Sequence, residues 1–193
     1  MGVPDQANYF VLVAQGSAIL FIPVTVALAR RFDKRRAFIL GTLSWLVLLL
    51  LFFPLGPDQV SLAYLLAALS GMGIATTYVI PWSMMPDVIE HDQLQTGQRR
   101  EGSYYAFTSF FQKLGTGIAL WAMGQILAYT GYITPPLDGP LPAQPDQAVG
   151  AIRVFMSLVP AVLLSLSILF AWRYPISREY HHSMINELAQ RDL

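Results

Sequence analysis

The 193 residues predict an all-α, polytopic transmembrane helix bundle of five spans, on three observations. Hydrophobic residues make up 54% of the chain and charged residues only 12%, too few to coat a soluble domain of this size. The apolar residues gather in five runs long enough to cross a bilayer as helices, at about 9–29, 37–53, 61–82, 103–132 and 148–172. Nearly every face of each run is apolar, so a soluble fold would leave only the connectors for water.

The first run, Tyr9 to Ala29, follows a segment with no basic residue and is too long for a signal-peptide core, so no cleavable leader is expected. It ends at Arg30-Arg31-Phe32-Asp33-Lys34-Arg35-Arg36, a basic turn. The second run, Ala37 to Phe53, is the shortest. The third, Ser61 to Trp82, carries Gly71-Met72-Gly73, expected to loosen the helix, and Pro81, expected to bend it at its end. Trp82 reads as an interfacial aromatic anchor. Tyr78, a turn deeper, is placed either to stack on a ring-shaped solute or to pack on a neighbouring helix.

An inner connector then holds Asp87, Glu90, His91 and Asp92 after Pro86, close in sequence to Arg99, Arg100 and Glu101. The expectation is a hydrated salt-bridge network rather than a metal site. The fourth run, 103–132, contains Lys113. The outer connector Thr134 to Pro140 is rich in proline and glycine and reads as an irregular loop. The fifth run, 148–172, holds Arg153 near its outer end, where the side chain can snorkel to the headgroups. The tail, 173–193, is read as cytoplasmic with a short interfacial helix. His181 and His182 on it point to different faces, so they are not expected to hold a metal.

Lysine and arginine cluster in alternate connectors. The turn 30–36, the pair Arg99 and Arg100, and the tail are basic, whereas 54–60, 133–147 and the segment before Arg30 carry none. The positive-inside rule therefore places the N-terminus outside and the C-terminal tail in the cytoplasm, across a cell inner (plasma) membrane.

Lys113 lies about 15 Å along the fourth run from Ser103, near the middle of a hydrocarbon core roughly 30 Å thick. A lysine there costs about 2.5 kcal/mol or more unless it faces a cavity or a partner. A helical wheel groups Tyr105, Ser109, Gln112, Lys113, Thr116 and Gly117 on one side and Phe107, Phe111, Leu114 and Ile118 on the other. Small and hydroxyl residues also serve helix packing, so the stripe alone leaves two readings open. Lys113 favours a solute-lined interior. No span contains Asp or Glu, so its compensation must come from a carboxylate on another bundle, a ligand, or loss of the proton.

The formal net charge of zero and segregated basic residues give no nucleic-acid surface, and the absence of cysteine removes disulfide and thiolate chemistry. No nucleophile and base pair, phosphate loop or metal signature stands at a working spacing. An enzyme and an organic cofactor are not expected.

The run Pro86-Asp87-Val88-Ile89-Glu90-His91-Asp92, continuing through Thr96-Gly97-Gln98-Arg99-Arg100-Glu101-Gly102 to Phe110-Phe111-Gln112-Lys113-Leu114-Gly115, resembles the glycoside-pentoside-hexuronide:cation symporter family. This is the melibiose-permease branch of the major facilitator superfamily, and the likeness is to its C-terminal half, from the eighth to the twelfth helix. The resemblance implies a partial major facilitator fold, and a secondary transporter that couples sodium or proton movement to sugar or glycoside uptake by alternating access. It implies that Lys113, Tyr78, Thr108 and Ser109, with Gln112 and Tyr105 on the same stripe, lie at the cation and sugar site. It also implies a cytoplasmic gate at Asp33, Arg30, Lys34 and Arg35, with Asp87, Glu90 and Arg100 at the same mouth. The same scaffold carries lysophospholipids in a eukaryotic branch. Complete members have twelve helices in two bundles, so the N-terminal bundle and its cation-binding carboxylates are expected outside this chain. A noncatalytic membrane subunit, or a fragment without transport activity, is the reading from a different class.

Overall fold

The computed structural model describes residues 4–56, 58–136 and 142–191, which are helical almost throughout, with no strand among them. Seven helices follow in order: α1 (Pro4–Phe32), α2 (Lys34–Phe52), α3 (Val60–Thr96), α4 (Glu101–Tyr129), α5 (Asp146–Arg153), α6 (Val159–Trp172) and α7 (Arg178–Arg191). A π-helical turn, Val154–Leu158, joins α5 to α6, so the fifth run forms one nearly continuous helical segment. Residues 137–140 of the expected outer loop, and the tail beyond 191, lie outside the described residues. Gln144, which follows that loop, clasps the backbone of Ile133, which precedes it, accepting its N–H at 3.0 Å and donating to its carbonyl at 2.8 Å.

α3 is the axis of the bundle. It packs on α1 and α2, and its contact faces are built from small residues: Ala63, Ala67, Ser70, Gly71, Gly73 and Ala75 are all buried. A β-carbon on Gly71 would lie 2.6 Å from the backbone nitrogen of Ala18, and one on Gly73 would lie 2.1 Å from Trp45 Cβ. On α2, a β-carbon at Gly41 would meet the Thr76 hydroxyl at 2.2 Å. The Gly71-Met72-Gly73 run, expected to loosen the helix, therefore serves as the contact surface for α1 and α2, where only hydrogen side chains permit the approach. Toward the opposite end from the charges, Leu55, Ala63 and Leu66 form a buried cluster, with Phe10 stacked on Tyr64 at 4.1 Å.

α3 corrects a second expectation. It does not stop at Trp82 but runs through Pro81 and Pro86 to Thr96, so the acidic residues sit on a helix and not on a connector. Each proline removes one backbone donor, yet tertiary contacts hold the extension. Ile89 is buried, and Lys34 reaches across from α2 to the Ser83 carbonyl at 2.8 Å. The helix ends at Gly97, whose φ of 70° suits glycine and whose N–H returns to the Gln93 carbonyl. α1 and α2 are separated by Asp33 alone, a non-glycine residue at φ 90°.

Four helical segments among the described residues are long and apolar enough to cross a membrane: 8–32, 34–52, 60–96 and 146–172. α4, which holds the fourth expected run, is not among them. It is 29 residues, about 43 Å at 1.5 Å per residue, so length is sufficient. Gln112, Lys113 and Gln125, with Gly102, Gly115, Gly117 and Gly124, dilute its apolar character. It has no buried residue and touches α3 and α5 only sparingly.

Candidate functional site

Two sites follow from this architecture, one at the charged end of the bundle and one in the groove between α3 and α4. At the charged end, Asp87, Glu90 and His91 recur at helical spacing on one side of the α3 extension, facing α2 and α7. Lys34, in the first turn of α2, donates to both Asp87 oxygens at 2.7 and 2.8 Å, and its third bond goes to Ser83. Asp87 is only 4% exposed, so a buried carboxylate is met by an ammonium with all three donors used.

α7 closes over this pair. His181 Nε2 stands 2.9 Å from Glu90 Oε2 and 3.3 Å from Asp87 Oδ1, and the Tyr180 hydroxyl lies 3.1 Å from His91 Nδ1. Arg178 donates to the Arg30 carbonyl and Arg35 to the Tyr174 carbonyl, which ties α7 and the end of α6 to the basic turn. Burial pushes the Tyr174 phenol above its ordinary range, and the carboxylates of Asp87 and Asp33 push it further. Asp87, Glu90 and His181 also bring potential metal-ligand atoms within 4.8 Å of one another, although Lys34 already takes both Asp87 oxygens.

Of the gate residues expected from sequence, Lys34, Asp87 and Glu90 meet at this end. Arg30 contributes a carbonyl, Arg35 reaches Tyr174, and the Asp33 carboxylate makes no ion pair among the described residues. Arg100 stands apart: its guanidinium grips Asp92 through Nε at 3.0 Å and Nη2 at 2.5 Å, stapling the end of α3 to the start of α4. That bond holds Arg100 above its usual range. Sequence reasoning missed His181, Ser83 and Tyr174. The spacing of Asp87, Glu90 and His91 was the available signal, since it gives one helical face in need of a basic partner.

Between α3 and α4 runs a groove of about 520 Å³ lined by Tyr78, Trp82, Thr108 and Gln112, with Trp45 and Met85 beneath. Tyr78 is 62% exposed, so its ring face is available. Tyr105 stacks parallel to Trp82, with centroids 6.2 Å apart, and so joins the two helices. The Thr108 hydroxyl donates to the Tyr104 carbonyl at 2.9 Å and keeps its capacity to accept. The groove therefore offers an aromatic face beside amide and hydroxyl groups.

Lys113 is not in it. With Phe110, Leu114, Gly117, Ile118 and Trp121 it lines a separate cleft of about 450 Å³ on another side of α4. Gln112 and Lys113, adjacent in sequence, sit about 100° apart, and α3 takes the side of Thr108 and Gln112. Leu114 and Ile118, expected on the apolar back, accompany Lys113. Ser109 is half-buried and lines neither cleft, and every residue from 111 to 120 is exposed.

Residues 1–178 match the family described as MFS/sugar transport protein. An uncharacterized symporter of Synechocystis sp. is 38% identical over 99% of this chain and 35% of its own length. Sodium-dependent lysophosphatidylcholine symporter 1-B of Danio rerio is 28% identical over 100% of this chain and 37% of its own length. The glucuronide carrier protein homolog of Escherichia coli K12 is 27% identical over 88% of this chain and 36% of its own length. The chain thus spans about a third of the length of the curated relatives it matches.

Proposed function

The chain belongs to the MFS/sugar transport protein family, a family of membrane transporters and not of enzymes, and we propose that it forms the C-terminal part of a cation-coupled sugar or glycoside symporter. In this reading the charged end faces the cytoplasm of a cell inner membrane, the N-terminus lies outside, and an N-terminal bundle supplies the carboxylates that bind sodium or a proton. Alternating access then rocks the two bundles about a shared site. Lys34, Asp87, Glu90 and His181 form contacts at the cytoplasmic mouth that open and close with that motion.

The observation that carries the substrate class is the α3–α4 groove. A sugar presents a C–H face that packs on an aromatic ring and a rim of hydroxyls that need donors and acceptors, and Tyr78 beside Thr108 and Gln112 supplies both. The test is uptake of labelled glycosides, driven by a sodium or proton gradient, by the complete transporter in proteoliposomes. Tyr78→Ala is expected to lower uptake up to about tenfold, a loss equal to one good stacking contact. Unchanged uptake rejects the groove as the sugar site.

A second reading, transport of a lysolipid, is favoured by the other cleft. There Lys113 shares one side of α4 with Phe110, Leu114, Ile118 and Trp121, a pairing of one cation with an apolar surface that suits an anionic headgroup carrying an acyl chain. Competition decides between the two: lysophospholipid that abolishes uptake of the labelled species, where glycosides do not, selects the lipid.

A further inference from the structure

The charged end holds a third cleft, of about 650 Å³, between the basic turn, the end of α6 and the start of α7. Arg31, Arg35, Arg36 and Arg178 line it, with Asp33 and Glu179 the carboxylates on its wall among the described residues. None of the four guanidinium groups forms an ion pair among the described residues. The pairs at this end join Lys34 to Asp87, and His181 to Asp87 and Glu90. Arg35 and Arg178 donate only to backbone carbonyls, and Arg31 lies over the ring of Phe32.

The local backbone adds to this excess. α2 starts with Lys34, Arg35 and Arg36, has no acidic residue in its first turn, and receives no side-chain cap from Asp33. Lys34 is already met by Asp87, so the unsatisfied N–H groups and the positive end of the helix dipole coincide with two unpaired cations, Arg35 and Arg36, an arrangement that an anion relieves.

The cleft is not polar throughout. Ile39 and Trp172 complete its wall, and Trp172 is 66% exposed. An exposed tryptophan at the end of an apolar helix marks the headgroup level of a bilayer. A free phosphate would neutralise the arginines and leave that apolar wall bare. A phospholipid covers both.

We propose that this cleft binds the phosphate of an anionic phospholipid from the leaflet at the tail side, with its acyl chain against Ile39 and Trp172. The site is separate from both solute clefts and does not depend on which solute is carried.

Native mass spectrometry of the detergent-purified chain tests this, by titrating phosphatidylglycerol and phosphatidylcholine of identical acyl chains. Phosphatidylglycerol is expected to bind about tenfold or more tightly than phosphatidylcholine, and Arg31→Gln/Arg36→Gln to bring the two close to parity, at about fivefold per arginine. Arg36→Gln alone, with an expected loss of about fivefold, serves if the double variant does not fold. Equal binding of the two lipids to the unsubstituted chain overturns the proposal, as does a preference that survives the substitutions. Displacement by inorganic phosphate as effective as by phosphatidylglycerol would make it a free-anion site, which also overturns it. Transport plays no part in this readout, so its failure leaves the symporter reading standing.

Discussion

α3 and α4 are neighbouring long helices of similar make-up, each with glycines, hydroxyls and aromatic residues, yet one is the most buried element of the chain and the other has no buried residue. The difference lies in where their partners are. Ser70 and Thr76 of α3 return their protons to the carbonyls of Leu66 and Met72, and the glycines of α3 seat Trp45 and the backbone of Ala18. On α4, Gly115, Gly117 and Gly124 face open space, Gln112 lines a groove, and Lys113 has no acidic partner on the described spans. Composition alone does not separate a packing helix from a helix that lines a path. What separates them is whether the chain itself covers the small and polar residues.

The glycines give the sharpest way to break this contrast. Gly71→Ala forces a methyl to within 2.6 Å of the Ala18 backbone nitrogen, which cannot rotate away. A loss of about 2–3 kcal/mol is expected, read as a lower temperature of aggregation in detergent by size exclusion. Gly117→Ala has nothing within 4 Å and is expected to leave that temperature unchanged or to raise it slightly. Equal destabilisation by both would mean that α4 is packed within the chain.

A smaller effect comes from the charged end. Asp87→Asn removes the carboxylate that Lys34 holds with two of its donors, and the side chain of Lys34 is 33% exposed, so water recovers part of the loss. About 2 kcal/mol is expected in the same measurement, below the value for a wholly buried pair. No change would mean that α2, α3 and α7 are held by apolar packing alone.

Much of the fold was legible in the sequence, because apolar runs of bilayer length have few other fates. The run at 9–29 lies within α1, that at 37–53 passes the end of α2 by one residue, and that at 148–172 lies within the segment α5 to α6. The end of α3 was not, because Pro81 and Pro86 read locally as stops while Lys34 and His181, some 50 and 90 residues away, hold the helix on. In the site, the wheel gathered the polar residues of α4 on one side but could not tell which part of that side meets α3. Thr108 and Gln112 fall to the groove with Tyr78, and Lys113 turns away because α3 occupies only one flank. His181 was read as part of a solvated tail, since nothing near it in sequence announces the Glu90 carboxylate.

The central claim is that the exposed middle of α4 borders a solute path completed by helices of the other bundle. The chain has no cysteine, so in a complete transporter freed of any other cysteine Gln112→Cys introduces a single thiol, in the α3–α4 groove. This thiol is expected to react with a membrane-impermeant maleimide and to be protected when the transported solute is added. Reaction only with a lipid-soluble maleimide, unaffected by solute, would place this side of α4 among acyl chains and contradict the account.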